Sequence, residues 1–490
     1  MHLTRLALAL AAALALLTWA AALSSAAEGT TWISLDKQGS PAAFASGAYG
    51  YSPALNEDGA KVAFESLGRL DIERDANGLS DVYIKDVEEG VLEIVSVASS
   101  GEPGNGRSYA PTMSADGSVV AFESLAGNLV EGDANHASDI YLRDLTDGET
   151  VRVSAPPGGG DSNGPSFRSA ISSNGAFVVF CSGASNLAAD DTNGVADLLI
   201  WERETVSLSR VEPPGATSTA TDGCLRAAVS ADASFIAFSS VTAGVSGVYL
   251  YDRAAGSTTA ITPAGNGPSG TTGLAISGDG GTVVFDSLAD NLIGEDTNRS
   301  RDVFVYDRGS GSTTRASIRT SGSQLPGESG TSGVSVSADG NIIVFSSRPD
   351  GVVAGDSNGR EDVFLRDIEA GRTLIASVNV FGQSANNSSY SPSTDADGSV
   401  VAFASLAANL VAGDSNRQPD VFIRDSDFPD TAGSVTGPEE TGPPPEDELP
   451  MAGATDDGGT SPLLIYGGVA AGVLMLLLGV SLLLGRRGRA

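Results

Sequence analysis

The hydrophobic residues of this chain fall into short runs separated by polar, glycine-rich segments, and the same succession of runs recurs along most of its length. Within one copy, an inner segment such as residues 110–117 ends in Asp-Gly, a strong signal for a tight hairpin turn. The next run, SVVAFES at 118–124, does not alternate with polar residues, which indicates a strand covered on both faces. A third run, DIYLRD at 139–144, leads through a tight turn to TVRVSA at 150–155, whose alternation is typical of an outer edge. Each copy therefore predicts four antiparallel strands.

A polar signature, D-x-N-x-x-x-D, precedes the third run of each copy and marks the repeat. It occurs in GDSNGREDVFLRD at 355–367 and in five further copies, whereas a worn copy at 242–252 lacks the first acid and the Asn. The residues that open the third run recur with a period of about 58 residues, which is typical of propellers and solenoids. They are Asp81, Asp139, Asp197, Gly247, Asp302, Asp362 and Asp420.

The two ends of the repeat region complete each other. Copy seven ends at Asp425 without a fourth strand, while residues 31–40, TWISLDKQGS, resemble a fourth strand such as LEIVSVASSG at 92–101. A solenoid gains nothing from this exchange, whereas a ring of blades needs it in order to close. We therefore predict an all-β fold, a seven-bladed β-propeller over residues 28–425 that is closed by the N-terminal strand. Blade four is divergent, because ADAS at 231–234 replaces its Asp-Gly turn.

The succession S-x-D-G-x-x-V-x-F followed by D-V-F-x-R-D resembles the TolB-like, WD40-like (PD40) propeller repeats of bacterial envelope proteins. The resemblance covers residues 31–425 and is specific for the fold, because seven copies carry it. Such propellers mostly hold partners and occasionally are appended to enzymes. The resemblance therefore implies a binding or scaffolding role, with a protein or a glycan as ligand.

The balance of acidic and basic residues indicates which classes of partner the protein can bind. The chain has 61 acidic and 28 basic side chains, a net charge of −33. Binding to phosphates needs a positive face, so nucleic acid is not an expected partner. An acidic surface is typical of solvated extracellular proteins and of surfaces that collect cations.

Both ends of the chain are predicted targeting segments. Residues 1–27 combine Arg5, a short apolar run and small residues, as in cleaved secretory signals. Residues 463–484 carry no charge, and at about 1.5 Å per residue they can cross a hydrocarbon core of roughly 30 Å. We predict a transmembrane helix over 462–485, with the basic tail 486–490 in the cytoplasm and the rest of the chain outside. A buried apolar helix is the alternative.

The segment between propeller and span carries a second targeting signal. Residues 426–461 contain no basic side chain and are rich in Pro, Gly and acids, which predicts an extended, disordered stalk. LPMAG at 449–453, followed by the span and the arginines, resembles the sorting signal L-P-x-T-G of sortase substrates. The resemblance implies that a sortase recognises Leu449, Pro450, Ala452 and Gly453 and cleaves after Ala452, which departs from the family's Thr. Attachment to the cell wall and a retained membrane anchor both place the propeller on the extracellular face of the envelope.

The long loops predict where binding occurs. Loops from the second to the third strand and from blade to blade share one face of the disc, and long loops on a rigid scaffold usually carry binding sites. The D-x-N-x-x-x-D signature ends the second-to-third loop, so six copies surround that face. Their oxygens suit Ca²⁺, which takes about six to eight such ligands. Alternatively, Asp and Asn cap the turn through backbone amides, and the final Asp anchors the third strand. The candidate calcium ligands are Asp75, Asn77, Asp81, Asp133, Asn135, Asp139, Asp191, Asn193, Asp197, Asp296, Asn298, Asp302, Asp356, Asn358, Asp362, Asp414, Asn416 and Asp420.

Cysteine and histidine give little indication of catalysis. Cys181 and Cys224 are expected on the long-loop face of blades three and four, where a disulfide would join the two blades; two free buried thiols are the alternative. His136 is the only histidine after the signal segment, and no Cys-x-x-Cys or G-x-S-x-G motif occurs. We therefore expect a non-enzymatic cell-surface binding or scaffolding module with no cofactor other than Ca²⁺. A calcium-dependent adhesion surface and an envelope glycan hydrolase or lyase remain as alternatives, because acids are plentiful.

Overall fold

The computed structural model describes residues 29–41, 53–189, 191–213, 223–242, 244–263 and 266–426. Within these ranges the chain forms 28 β-strands, which are arranged as seven four-stranded antiparallel sheets. The predicted signal peptide, the membrane span, the basic tail and all of the stalk after Ser426 lie outside the described residues. In the part of the chain that the structure does describe, no helix is long and apolar enough to cross a membrane.

Each sheet is one blade, whose strands follow one another in sequence order from the inside to the outside, except that the first strand of the chain is the outer strand of blade seven. That strand is β1 (Thr30–Trp32). Blades one to three contain β2 (Ala54–Leu55), β3 (Lys61–Ser66), β4 (Asp81–Asp86), β5 (Leu92–Ile94); β6 (Ser108–Met113), β7 (Val119–Ser124), β8 (Asp139–Asp144), β9 (Glu149–Arg152); β10 (Ser166–Ile171), β11 (Phe177–Ser182), β12 (Asp197–Glu202) and β13 (Ser207–Val211). Blades four to seven contain β14 (Cys224–Val229), β15 (Phe235–Thr242), β16 (Val245–Asp252), β17 (Ser257–Ala260); β18 (Ser269–Ile276), β19 (Thr282–Ser287), β20 (Asp302–Asp307), β21 (Ser312–Arg315); β22 (Ser329–Val336), β23 (Ile342–Ser347), β24 (Asp362–Asp367), β25 (Arg372–Ile375); β26 (Ser389–Thr394), β27 (Val400–Ser405) and β28 (Asp420–Asp425).

Burial follows the predicted pattern within each blade. The second strand β7 is buried at every position, because neighbouring blades cover both of its faces. The fourth strand of blade three, β13, alternates between exposed and partly buried positions, as expected for an outer edge. Phe122 of the second strand stacks on Tyr141 of the third with ring centroids 5.8 Å apart, and five other blades have an equivalent aromatic pair. These apolar clusters between blades form the core.

The predicted closure of the ring by the N-terminal strand is confirmed. Strand β1 pairs antiparallel with β28, and Trp32 lies opposite Phe422 with ring centroids 6.1 Å apart. Just after β1, Ser34 donates through Oγ to Asp420 Oδ1 at 2.6 Å and accepts the Val421 amide at 3.1 Å. The N-terminal strand therefore provides Asp420 and Phe422 of blade seven with partners, as the blade's own fourth strand does in the other blades.

A second closure joins the inner hairpins around the central channel. In each blade, an amide in the turn between the first and second strands donates to a carbonyl in the equivalent turn of the next blade, at 2.6–3.0 Å. The seven bonds form a complete cycle, from Glu57 to Ala115, Ser173, Ala231, Gly278, Ala338, Ala396 and back to Glu57. A solenoid has no such cycle, so this feature distinguishes the two repeat architectures.

The two faces of the disc differ as predicted. The tight-turn face carries the turns between strands one and two and between strands three and four, and the long-loop face carries the remaining connections. Blade four keeps its tight turn without glycine, because Ala233 adopts the left-handed conformation with φ 57° and Asp232 Oδ1 accepts the Ser234 amide. On the long-loop face, however, Thr242 pairs directly with Val245, so a short hairpin replaces the long loop of the other blades.

Candidate functional site

The asparagine of the D-x-N-x-x-x-D signature makes the same two bonds in all six copies. Its Nδ2 donates to the final Asp of the signature at 2.6–3.1 Å. Its Oδ1 accepts the amide two residues further on at 2.6–3.0 Å. This is the geometry of an Asx turn, so the Asn caps the loop in the way that the turn-capping interpretation expects.

The final Asp of the signature anchors the third strand to the fourth. In blade one, Ser96 Oγ donates to Asp81 Oδ1 at 2.6 Å and accepts the Val82 amide at 3.1 Å. Ser154, Ser317, Ser377 and, in blade seven, Ser34 hold the corresponding Asp in the same way. Burial raises the pKa of Asp81 to about 7, although the bonds from Ser96 and Asn77 oppose the shift. This carboxylate therefore has a structural role in five of the six blades that carry it, and in blade three Arg210 and Asn193 bond Asp197 instead.

The groups that contact the first Asp of the signature differ from blade to blade. In blades two, three and five, an Arg of the fourth strand lies beside the first and the final Asp: Arg152 with Asp133 and Asp139, Arg210 with Asp191 and Asp197, and Arg315 with Asp296 and Asp302. In blades one and two, the first Asp also accepts a bond from a tyrosine hydroxyl, Tyr83 or Tyr141. No group of three or more His, Cys, Asp or Glu side chains among the described residues is arranged to hold a metal ion. Calcium binding by the full set of eighteen candidate ligands therefore remains a hypothesis.

The two cysteines lie on adjacent blades, and the structure joins them. Cys181 is the penultimate residue of β11 in blade three, and Cys224 is the first residue of β14 in blade four. Their Sγ atoms form a disulfide with the two Cα atoms 5.5 Å apart. The bridge links the long-loop ends of two neighbouring blades. The candidate sorting residues Leu449, Pro450, Ala452 and Gly453 lie outside the described residues.

A cavity at the long-loop end of the central channel is a site that the motifs did not predict. Its volume is about 140 Å³, and the inner strands of blades two to six line it. Three charged side chains from three blades line it: Glu123 of β7, Arg168 of β10 and Arg226 of β14. Thr272 and Ser332 add polar groups from blades five and six. The channel continues towards the tight-turn face as a space of about 340 Å³ between the inner strands.

A bulge in the inner strands creates this arrangement. The pairing between β10 and β11 shifts register between Phe167 and Ala170, and Arg168 within the bulge has φ 58°. The bulge turns the Arg168 amide towards the neighbouring blade, where it donates to Glu123 Oε1 at 2.7 Å. A bulge re-aims side chains near functional sites in many sheets. Here it brings an arginine and a carboxylate of adjacent blades together.

The electrostatics of the cavity depend on one buried carboxyl group. Glu123 is 2% exposed, and burial raises its pKa to about 7, while the Arg168 amide bond and the charges of Arg168 and Arg226 oppose the shift. Arg226 is oriented by a bond from its Nε to the Thr271 carbonyl at 3.0 Å. The charged groups that line the cavity are thus two guanidinium groups and one carboxyl group whose pKa burial raises to about 7.

No family model and no curated protein matches this sequence. Solved structures do match its fold. An oligogalacturonate lyase in complex with manganese is 12% identical, with 81% of this chain and 92% of that chain covered and a TM-score of 0.50. The oligogalacturonate lyase of Vibrio parahaemolyticus is 14% identical, with 78% and 90% covered and a TM-score of 0.50. TolB from Acinetobacter baumannii is 15% identical over 75% of this chain and 81% of that chain, with a TM-score of 0.37. At these identities, the similarities to the lyases concern the β-propeller fold alone.

Proposed function

We propose that this protein is a cell-surface binding module that holds an acidic glycan at the mouth of its propeller channel. The observation that carries the proposal is the convergence of Arg168 and Arg226 with Glu123 in one cavity on the long-loop face. Guanidinium groups bind carboxylates in a bidentate manner, and a partly enclosed site strengthens that attraction relative to water. The two guanidinium groups give an anionic ligand an attraction that a neutral ligand lacks. Two solved neighbours are named for a carboxylated glycan, oligogalacturonate, and this is consistent with the ligand class.

The shape of the face also supports an elongated ligand. The short hairpin of blade four removes the long loop on the side where Arg226 lies. A chain of sugars that places one carboxylate in the cavity would leave across this lower part of the rim. The disulfide between Cys181 and Cys224 holds blades three and four, which carry the two arginines, in fixed relation to each other.

Direct binding measurements test the proposal. Full-length protein is titrated with fluorescent oligogalacturonate and with a neutral oligosaccharide of equal length. We expect binding of the acidic chain alone, and we expect the double variant Arg168→Ala and Arg226→Ala to lose at least about tenfold in affinity, as for a lost charge-assisted bond. Arg360→Ala is the matched control, because Arg360 is an exposed arginine of the same face, on the blade-six loop. Equal losses in the double variant and the control, or no binding of any acidic glycan, would refute the proposal.

A second candidate function, glycan cleavage by β-elimination, is favoured by the same carboxyl group. A base with a pKa near 7 beside groups that neutralise a sugar carboxylate suits abstraction of the adjacent proton, and Glu123 has that pKa and those neighbours. The expected product is an unsaturated sugar, which absorbs in the ultraviolet. If the native protein forms this product and Glu123→Gln abolishes its formation while binding persists, the module is a lyase. If no acidic glycan yields the product, the binding function stands alone.

We further propose that the propeller is exported and tethered at its C-terminal end, either by the predicted span over 462–485 or by a sortase. The sequence signals at residues 1–27 and 449–453 support this proposal. Mass spectrometry of protein from the native envelope distinguishes the two tethers. A C-terminus at Ala452 joined to a cell-wall fragment supports sorting, and an intact C-terminus at Ala490 supports the membrane anchor.

A further inference from the structure

One position of the second strand carries a buried carboxyl group in three of the seven blades. It is the residue that follows the buried Phe of that strand. From blade one to blade seven it is Glu65, Glu123, Cys181, Ser239, Asp286, Ser346 and Ala404. Glu65 and Glu123 are each 2% exposed, and Asp286 is fully buried. A buried carboxylate is costly unless donors replace its water, so the donors around each acid determine how readily it holds a charge.

In blade five, donors surround the carboxylate at this position. The amides of Thr272 and Gly273 each donate to Asp286 Oδ1 at 2.8 Å. Thr271 Oγ1 donates to Oδ2 at 3.1 Å, and the Arg301 guanidinium bonds the same oxygen. These donors replace the water that burial removes from Asp286.

Glu123 of blade two has fewer donors and lies on the wall of the cavity. Among the described residues, its single hydrogen bond comes from the Arg168 amide of β10, which donates to Oε1 at 2.7 Å. The charges of Arg168 and of Arg226 in β14 act on it, and Tyr109 of β6, whose pKa burial raises, faces it as a neutral phenol. Burial raises the pKa of Glu123 to about 7 in spite of both guanidinium groups. Near neutral pH, the free protein therefore contains both the protonated and the ionised form of Glu123.

We propose that an acidic ligand binds at the channel mouth together with one proton, which Glu123 carries; this inference rests on the proposed function. A ligand carboxylate in the cavity is a second negative charge beside Glu123, and two neighbouring carboxylates favour sharing a proton over both being ionised. The protonated carboxyl group can donate a hydrogen bond to the ligand, and the guanidinium groups stay charged at every relevant pH. A protonated Glu123 cannot act as a base, so proton uptake favours binding over cleavage by β-elimination.

Calorimetric titration of the full-length protein with oligogalacturonate, in buffers of different ionisation enthalpy, measures the protons that are taken up on binding. At pH 8 most of the free protein has Glu123 ionised, so we expect an uptake that approaches one proton per ligand. The affinity of the native protein should fall by about tenfold from pH 6 to pH 8, because the free protein loses this proton and the complex keeps it. The ligand carboxylates stay ionised over this range. In Glu123→Gln, we expect no proton uptake and an affinity that is independent of pH.

Two further variants make the test specific. Glu65→Gln is the matched control, because Glu65 has the same strand position and exposure as Glu123 and is not among the residues that line the cavity. It should take up the proton as the native protein does. Glu123→Ser installs the residue of blades four and six, and it replaces Glu123→Gln if that variant does not fold.

The outcomes separate this inference from the proposed function. Binding of oligogalacturonate without proton uptake overturns the inference and leaves the binding function standing. Proton uptake that persists in the Glu123 variants, or that is lost in Glu65→Gln, overturns the assignment to Glu123. If the native protein binds no acidic glycan even at pH 6, both the proposed function and this inference fail.

Discussion

Ser34→Ala tests whether the N-terminal strand closes the ring through side chains as well as through backbone pairing. Ser34 Oγ donates to the fully buried Asp420 and accepts the Val421 amide, and Trp32 Nε1 donates to the same Oγ at 3.1 Å. The substitution removes one bond to a charged group and leaves the Val421 amide and Trp32 Nε1 without this acceptor. Bonds to charged groups contribute about 1.5–3 kcal/mol, so we expect the free energy of unfolding to fall by roughly 2–3 kcal/mol.

The matched control is Ser96→Ala, which removes the same pair of bonds in blade one. Both variants should lower the unfolding temperature by similar amounts. They should differ in hydrogen exchange, however, because β1 pairs with β28, which lies at the opposite end of the propeller sequence, whereas β5 is joined to its partner β4 by a short turn. We therefore expect faster exchange at Trp32 and Ile33 in Ser34→Ala and no comparable local change in β5 of Ser96→Ala.

The loss of stability in Ser34→Ala should depend on pH, and a measurement of this dependence can refute the reasoning. Burial raises the pKa of Asp420, while the bonds from Ser34, Asn416 and Trp32 lower it. Loss of Ser34 raises this pKa further, so the folded variant binds a proton more readily than the native protein does. The stability defect should then shrink as the pH falls towards about 5. A defect that is equal at pH 8 and pH 5, or slow exchange at Trp32, would refute the reasoning.

Three other predictions follow from the cross-link, the buried acids and the divergent turn. Reduction of the disulfide between Cys181 and Cys224, which closes a separation of 43 residues, should lower stability by up to about 4 kcal/mol, as measured by urea unfolding with and without reductant. Stability should rise as the pH falls from 8 to about 5, because the raised pKa values of Asp81 and Glu123, both about 7, let the folded state bind protons before the unfolded state does. Thermal unfolding across this range checks the sign, and a monotonic fall in stability would contradict it. Ala233→Gly should stabilise the protein by up to about 1 kcal/mol, because glycine adopts the left-handed conformation at φ 57° without strain.

Gly59→Ala is the opposite control for the turn in blade four. Gly59 has φ 69°, and a Cβ at this position would lie 2.8 Å from Val400 Cγ2 of the neighbouring blade. We therefore expect a loss of at least about 1 kcal/mol from conformational strain, with a further loss from the contact. If Gly59→Ala leaves the stability unchanged, or if Ala233→Gly destabilises the protein, strain in the left-handed conformation does not determine the stability effect of substitutions at these turns.

The repeat made most of the fold predictable from the sequence. Its apolar runs, Asp-Gly turns and period specify four strands per blade, and the missing fourth strand after Asp425 reveals the closure. Blade four shows the limit of this reasoning, since the Asp-Gly turn is absent from its sequence and the turn still forms around Ala233. Backbone hydrogen bonds to the hairpins of blades three and five hold the turn in place. Such tertiary contacts override the conformational preference of the local sequence.

The cavity at the channel mouth was not predicted, because its residues belong to no contiguous motif. Arg168 and Arg226 lie on different blades, and neither belongs to a motif in the sequence around it. An alignment of the seven copies by position would have indicated them, since the third residue of the inner strand is Ala110 in blade two and an arginine in blades three and four.

The pairing of β1 with β28 has a mechanical consequence if the propeller is tethered at its C-terminal end, as proposed above. Strand β28 lies between β27 and β1, and six residue pairs on one side and three on the other hold it. A pull applied at Ser426 therefore loads an interior strand, which must shear past both neighbours at once, and cannot peel away a free edge one bond at a time. In that case, flow or traction on the tethered propeller would be borne by an interior strand of the last blade, and the N-terminal strand would support this strand from the side.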